Sequence, residues 1–223
     1  QPWEFMGIVK AMLTSNTYPD FIVVDGAEGG TGAAPIEFTD HLGTPLREGL
    51  LFVHNTLVGA GIRDKVKVGA SGKIVSAFDI ARTLALGADW VNSARGFMFA
   101  LGCIQSKRYK NNKCPTGVAT QDESRQKALV VGDKSERVYH FHSNTLKALS
   151  DMIAAAGLTH PEQIKPEHLV VRITEVEIKS YRQMHYYMRP SELVDGHTDS
   201  PFYARMWGLA TADSFQAQHH THS

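Results

Sequence analysis

Three short stretches hold residue types whose spacing suits binding chemistry. Asp25 to Pro35 reads DGAEGGTGAAP, four glycines in its first nine residues with Asp25 and Glu28 among them. A glycine loses more backbone entropy on folding than any other residue, so such a run implies close approach of the backbone to something. VGASGK, around Ser71, Gly72 and Lys73, is the second stretch, and SARGF, with Ser93, Arg95 and Gly96, is the third. Loops of small residues with a nearby cation, the last one opening a helix, suit a phosphate, because free N–H groups and the helix dipole both favour an anion. The same glycines would equally permit simple turns, with Lys73 and Arg95 solvated, and spacing alone leaves the two readings open.

Two cysteines, Cys103 and Cys114, have ten residues between them, which is not by itself a metal signature. A buried free thiol is the favoured reading of either one. His140 and His142 are two apart and do not share a helix face. Terminal histidines His219, His220 and His222 offer a further metal-binding stretch in a polar tail. No Ser–His–Asp arrangement or metalloprotease helix is present.

The elements that would position these loops follow from periodicity. Phe5, Ile8, Val9 and Leu13 recur at helical spacing, predicting a helix over 3–15. FIVVD at 21–25 is a continuous apolar strand, followed by a helix over 46–60. KVKVG at 65–69 predicts a second strand, with a helix capped by Ser76 and stopped by Gly87 after it. DWVNSA at 89–94 predicts a third, leading into a short helix that ends at Gly102. Strands alternating with helices imply right-handed crossovers and a parallel sheet, as a (β/α)8 barrel or a doubly wound fold. In both, chemistry lies at the C-terminal ends of the strands, where all three glycine loops fall. Beyond Cys114 the texture is helical: one long helix ending at Gly157, then a short helix with Thr159 as cap. The last 25 or so residues read as a frayed tail.

The chain has 223 residues, 43% hydrophobic and 21% charged, with Lys+Arg and Asp+Glu equal at 23. That balance gives no global field to attract nucleic acid or an anionic membrane. No apolar run approaches the roughly 20 residues that span a bilayer. Two cysteines are too few for a disulfide framework and suit a reducing compartment, the cytoplasm. The chain starts at Gln1 rather than Met, almost directly in a helix, which fits the C-terminal part of a longer polypeptide.

Taken together, EGGTGAAP, GASGK, GADWVNSARGFMFALGCIQ and CPTGVATQD resemble the FMN-binding domain of glutamate synthase, and most closely the stand-alone glutamate-synthase-related proteins of bacteria. The resemblance runs from about residue 3 to 150. It implies a (β/α)8 barrel whose strands six to eight are those at 21–25, 65–69 and 89–93, so that the N-terminal half of the barrel lies outside this chain. The expected organisation is a partial barrel over 1–121, a helical extension over 122–197 and a disordered tail over 198–223. By motif, the resemblance implies FMN phosphate contacts from Ser71, Gly72, Lys73, Arg95 and Gly96, with Ser93 and Asp25 beside them. It places Glu28, Gly29, Gly30, Thr31 and Gly32 near flavin and substrate. The implied reaction takes electrons from a donor protein or an NAD(P)H-linked subunit through an iron–sulfur centre to FMN. Reduced flavin then delivers hydride to 2-iminoglutarate, formed from 2-oxoglutarate and ammonia, the latter free or derived from glutamine, to give glutamate.

One departure stands out. The family's 3Fe–4S centre uses three cysteines, the middle one six residues after the first and five before the last. Cys103 and Cys114 match the outer two, but the middle position is Tyr109, within the basic run KRYKNNK. Tyrosine is a poor replacement for a thiolate at such a cluster. Two other readings stand beside the first: an FMN barrel enzyme with another substrate, such as a 2-hydroxy-acid oxidase, and a non-catalytic copy. The CPTGVATQ segment favours glutamate synthase chemistry over the former.

Overall fold

A computed structural model of the chain describes residues 1–27, 37 and 41–218. Helix α1 (Pro2–Ser15) has proline in its first turn and reciprocal capping between Gln1 and Glu4, and it stops at Asn16 in the left-handed conformation. Strand β1 (Phe21–Asp25), helix α2 (Leu46–Gly59), strand β2 (Lys67–Ser71), helix α3 (Ala77–Ala85), strand β3 (Trp90–Asn92) and helix α4 (Arg95–Leu101) follow in order. The three strands form one parallel sheet in the order β1-β2-β3. Ser76 caps α3 as expected, its hydroxyl accepting from the Asp79 amide.

β2 lies two residues later than the periodicity suggests. The Lys65 amide bonds the Ile62 carbonyl, which makes 62–65 a turn. Gly69 is therefore in the middle of the strand and not at its end. Its missing side chain has a packing cause: a Cβ there would lie 2.5 Å from the Trp90 indole.

Strand alternation divides the sheet into two faces. Ile22, Val24, Val68, Ala70 and Val91 join the main core with Leu50, Val53 and Leu57 of α2 and Ala81 and Ala85 of α3. Leu50 and Leu57 are wholly buried, and each such side chain contributes about 1.5–3 kcal/mol. The opposite face carries Phe21, Val23 and Asp25 of β1. Phe21 is 57% and Val23 42% exposed, and Phe21 meets Trp90 edge-on.

The N-terminal end of the sheet is locked by the ion pairs of Asp89, with Arg63 and, at 3.6 Å, with Lys67. Arg63 pairs with Asp89 at 2.7 Å and donates to the Val66 and Gly87 carbonyls and to His54 Nδ1. Asp89 also accepts from the Val68 amide.

After α4 come a short helix α5 (Glu123–Gln126) and the long helix α6 (Val131–Ala155), with Gly157 in a positive-φ turn beyond it. The segment expected as one short helix capped by Thr159 is instead two 3-10 turns, Pro161–Gln163 and Pro166–His168. Each proline starts a new turn, and the extended residue before it breaks continuity. Strands β4 (Val170–Arg172) and β5 (Ile178–Ser180) pair antiparallel and lead into α7 (Tyr181–Met184).

The frayed tail expected over 198–223 is corrected over much of its length. Pro201–Leu209 is helix α8. Tyr203, Met206 and Ala210 pack with Met6, Met188 and Leu193 in a second core. Lys10 donates to the Trp207 and Ala210 carbonyls at the end of α8, where a cation satisfies both orphan acceptors and the helix dipole. His219, His220 and His222 lie outside the described residues. Among the described residues no helix is long and apolar enough to cross a membrane.

Candidate functional site

The parallel register puts Asp25 beside Ser71 and Ser71 beside Asn92, so the three strands end level at one edge. Loops starting at Gly26, Gly72 and Ser93 all leave from it. The Gly26 amide bonds the Ser71 carbonyl at 2.8 Å. Gly26 and Gly72 face each other: a Cβ on Gly72 would stand 3.5 Å from Gly26 Cα, and one on Gly26 would meet the Leu46 backbone at 2.6 Å. These two glycines let the loops pass each other over the start of α2. Gly72 (φ +147) and Lys73 (φ +47) then bend the chain across the edge.

The second and third loops are tied together. The Ser93 hydroxyl donates to the Ile74 carbonyl at 2.8 Å. Lys73 is exposed, Ser71, Gly72, Ser93 and Arg95 are half-buried, and Arg95 starts α4. The structure thus gathers Asp25, Ser71, Gly72, Lys73, Ser93, Arg95 and Gly96 at one strand edge. Two cations and turning backbone on one side form a donor set that fits a phosphate-bearing ligand, while the exposed Asp25 carboxylate lies on the other side. Gly96 is buried for a local reason as well: a Cβ there would meet the Phe141 ring of α6 at 2.8 Å. Glu28, Gly29, Gly30, Thr31 and Gly32 lie outside the described residues.

Sequence reasoning missed two residues on this face. Asn92 is exposed and paired with Ser71, and Trp90 stands beside Gly69. Strand alternation from Asp25 and Ser71 was the signal that could have found them.

The cysteine loop begins where Gly102 (φ +104) ends α4 and the Cys103 amide bonds the Met98 carbonyl. Cys103 is half-buried and Cys114 buried, both with free thiols. Between them Tyr109 opens a 3-10 turn, Tyr109–Asn111. Burial pushes the Cys114 thiol up, but hydrogen bonds from Thr116 and from the amides of Ala119, Thr116 and Val118 outweigh it and bring the thiol down to about 7. Among the described residues no three His, Cys, Asp or Glu side chains converge as a metal-binding group.

The family model for the conserved region in glutamate synthase matches residues 4–159. The chain belongs to the glutamate synthase family. It is 43% identical over 171 residues to the glutamate synthase large subunit-like protein YerD of Bacillus subtilis, covering 77% of this chain and 33% of that protein. An archaeal glutamate synthase [NADPH] of Methanocaldococcus jannaschii is 34% identical, over 71% of this chain and 31% of its own length. Ferredoxin-dependent glutamate synthase 1 of Arabidopsis thaliana is 38% identical over 67% of this chain, which is 10% of that protein. The chain therefore spans a third or less of the length of these relatives. Among solved structures, a mutant flavocytochrome b2 with pyruvate bound aligns over 89% of this chain and 44% of that one, at 13% identity and a TM-score of 0.42, a likeness too weak to argue from.

Proposed function

We propose that this chain forms the phosphate-binding end of an FMN-dependent oxidoreductase of the glutamate synthase type, acting on the CH–NH2 group of glutamate in the reverse sense, by reductive amination of 2-oxoglutarate. The carrying observation is the level edge at which Asp25, Ser71 and Asn92 align, with Ser93 holding the third loop to the second. Family membership supports the reading, and the donor set at that edge is compatible with a flavin phosphate. In this reading β1, β2 and β3 are the sixth, seventh and eighth strands of a (β/α)8 barrel. The exposed face with Phe21 and Val23 is then barrel interior, covered by further strands from the rest of the barrel.

Lys73 and Arg95 neutralise the phosphate, while Ser71, Gly72, Ser93 and Gly96 shape the loops around it. The family resemblance assigns Asp25 and the sequence Glu28 to Gly32 to flavin and substrate binding. Bound FMN would supply the hydride; the protein orients it, excludes water and fixes the charge around it. The substrates are 2-oxoglutarate and ammonia, free or from glutamine, with a donor protein or NAD(P)H-linked subunit as electron source and the cytoplasm as setting.

The test is to purify the protein, release any bound chromophore with acid and identify it by mass. Glutamate formation from 2-oxoglutarate and ammonium with dithionite as reductant follows. FMN with glutamate formation is expected. A protein that neither retains nor rebinds FMN overturns the reading. FMN without glutamate formation leaves the second reading, a non-catalytic copy, which Tyr109 at the middle cysteine position favours.

A further inference from the structure

The three-cysteine cluster that the family resemblance implies does not fit the residues of this loop. Two thiols are present, and the third position is a phenol. The neighbouring side chains cannot replace it, since Lys107, Arg108 and Lys113 are cations with no lone pair to give at neutral pH. Asp122, the nearest carboxylate along the chain, is committed as the cap of α5, accepting from the Ser124 and Arg125 amides and from the Ser124 hydroxyl.

The loop is instead closed by its own hydrogen bonds. Asn112 sits in the left-handed conformation that asparagine tolerates better than most residues, its amide bonded to the Tyr109 carbonyl. Its side-chain oxygen accepts from the Gln121 amide at 3.1 Å, and its carbonyl accepts from the Thr120 hydroxyl at 2.8 Å. Gln126 of α5 donates to the Thr120 carbonyl at 2.7 Å. The Lys113 amide bonds the Arg108 carbonyl across the 3-10 turn. Gly117 lies so close to α5 that a Cβ there would stand 2.2 Å from the Arg125 carbonyl oxygen. Cys114 is buried within this ring, its sulfur already engaged by the Thr116 hydroxyl at 3.5 Å.

We propose that the segment Arg108–Gln126 closes on itself, with the Tyr109 turn and the Asn112 clasp standing where a cluster would otherwise organise the chain, and that this protein assembles no iron–sulfur centre there. The proposal goes beyond the flavin reading and does not depend on it.

The experiment is anaerobic reconstitution with ferrous iron and sulfide, followed by iron and acid-labile sulfide analysis and electron paramagnetic resonance. Flavin is measured separately after acid release, so failure of the flavin reading and failure of this one are distinguishable. Wild-type protein is expected to hold no more iron than a Cys114→Ser control. A Tyr109→Cys variant is expected to gain iron and sulfide in stoichiometric amount. Asn112→Ala is expected to lower Tm by about 2–4 °C through the lost bond and the left-handed backbone, while chelator leaves the wild-type Tm unchanged. Iron and sulfide in the wild type above the control, with a paramagnetic signal on oxidation, overturn the proposal. So does an unchanged Tm in Asn112→Ala, which would remove the clasp.

Discussion

The Ser93 hydroxyl reaches the Ile74 carbonyl at 2.8 Å, and this one bond joins the loop after β3 to the loop after β2. Each loop carries one of the two cations at the strand edge, Lys73 and Arg95. Removing the hydroxyl leaves a half-buried carbonyl without that donor and lets the cations drift apart. Ser93→Ala is expected to weaken FMN binding by about 1 kcal/mol, roughly fivefold in Kd. Flavin fluorescence titration measures it. Lys73→Ala and Arg95→Ala should each weaken binding more than Ser93→Ala, because charge-assisted bonds to a phosphate exceed neutral ones.

At the other end of the sheet, acid should destabilise the protein through His54. Burial, then Arg63, hold the imidazole down to about 4, against an ordinary 6.5. Asp89 and the Gly87 carbonyl pull the other way, and Lys165 pushes with Arg63. Neutral His54 accepts from Arg63 at Nδ1, and protonation removes that acceptor. The unfolded chain therefore binds the extra proton first. Stability present above pH 6.5 is lost as pH falls toward about 4, on the order of 2 kcal/mol. Asp89 adds to the loss lower down. Burial raises its carboxyl, but bonds from Val68 and Arg63 outweigh that and hold it below the usual range. Urea unfolding at pH 7, 5.5 and 4.5 checks the slope, and His54→Gln should flatten it.

The alternation of strand and helix over residues 3–101 was legible because each element has a strong local period and a glycine or cap at its end. The two-residue offset of β2 was not, because Gly69 reads as the strand's last residue until the Trp90 indole is seen beside it. The strand-end loops that gather Ser71, Lys73, Ser93 and Arg95 followed from topology alone. What escaped was non-local. Lys10 meets Trp207 and Ala210 across nearly the whole chain, a contact that no local pattern reports, although Tyr203, Met206 and Trp207 stand at helical spacing behind Ser200 and Pro201 and made α8 itself legible.

Asn55 should prove the anchor of the C-terminal segment. It is 1% exposed in the middle of α2. Its amide donates to the Tyr186 carbonyl at 2.8 Å and the Tyr203 hydroxyl at 3.0 Å, and its oxygen accepts from the Met188 amide at 3.1 Å. Asn55→Ala would strand three buried polar groups at once and is expected to cost about 2–4 kcal/mol. Limited proteolysis should then cut between 186 and 200 much faster than in the wild type. Equal cleavage rates would show that the apolar contacts of Tyr203 and Met206 hold the segment without it.

Gly87 should tolerate no side chain. It sits at φ +115, and a Cβ there would lie 2.4 Å from His54 Nδ1. Gly87→Ala combines a strained backbone with a clash against a ring held by Arg63, at an expected cost of about 1–3 kcal/mol. A Tm measured at pH 7 checks it. Gly157→Ala provides the comparison, since that glycine also has positive φ (+74) but nothing within 4 Å of its would-be Cβ. The difference between the two variants reports the clash with His54 together with the greater backbone strain at φ +115.

The exposed sheet face should govern solubility. Phe21 and Val23 lie on the same side of β1, more than two-fifths exposed, and among the described residues β1 is an edge strand of the sheet. An open edge beside an apolar face is a template for pairing with other chains. The 223-residue chain by itself is expected to self-associate at micromolar concentration, read by light scattering and analytical ultracentrifugation. Val23→Lys places a charge on the open face without touching the core side of the sheet, where Ile22 and Val24 pack. It should reduce association severalfold while leaving the helical circular dichroism unchanged. A monomeric, cooperatively unfolding wild-type chain would show that this face needs no cover and would remove the barrel-interior assignment of Phe21 and Val23.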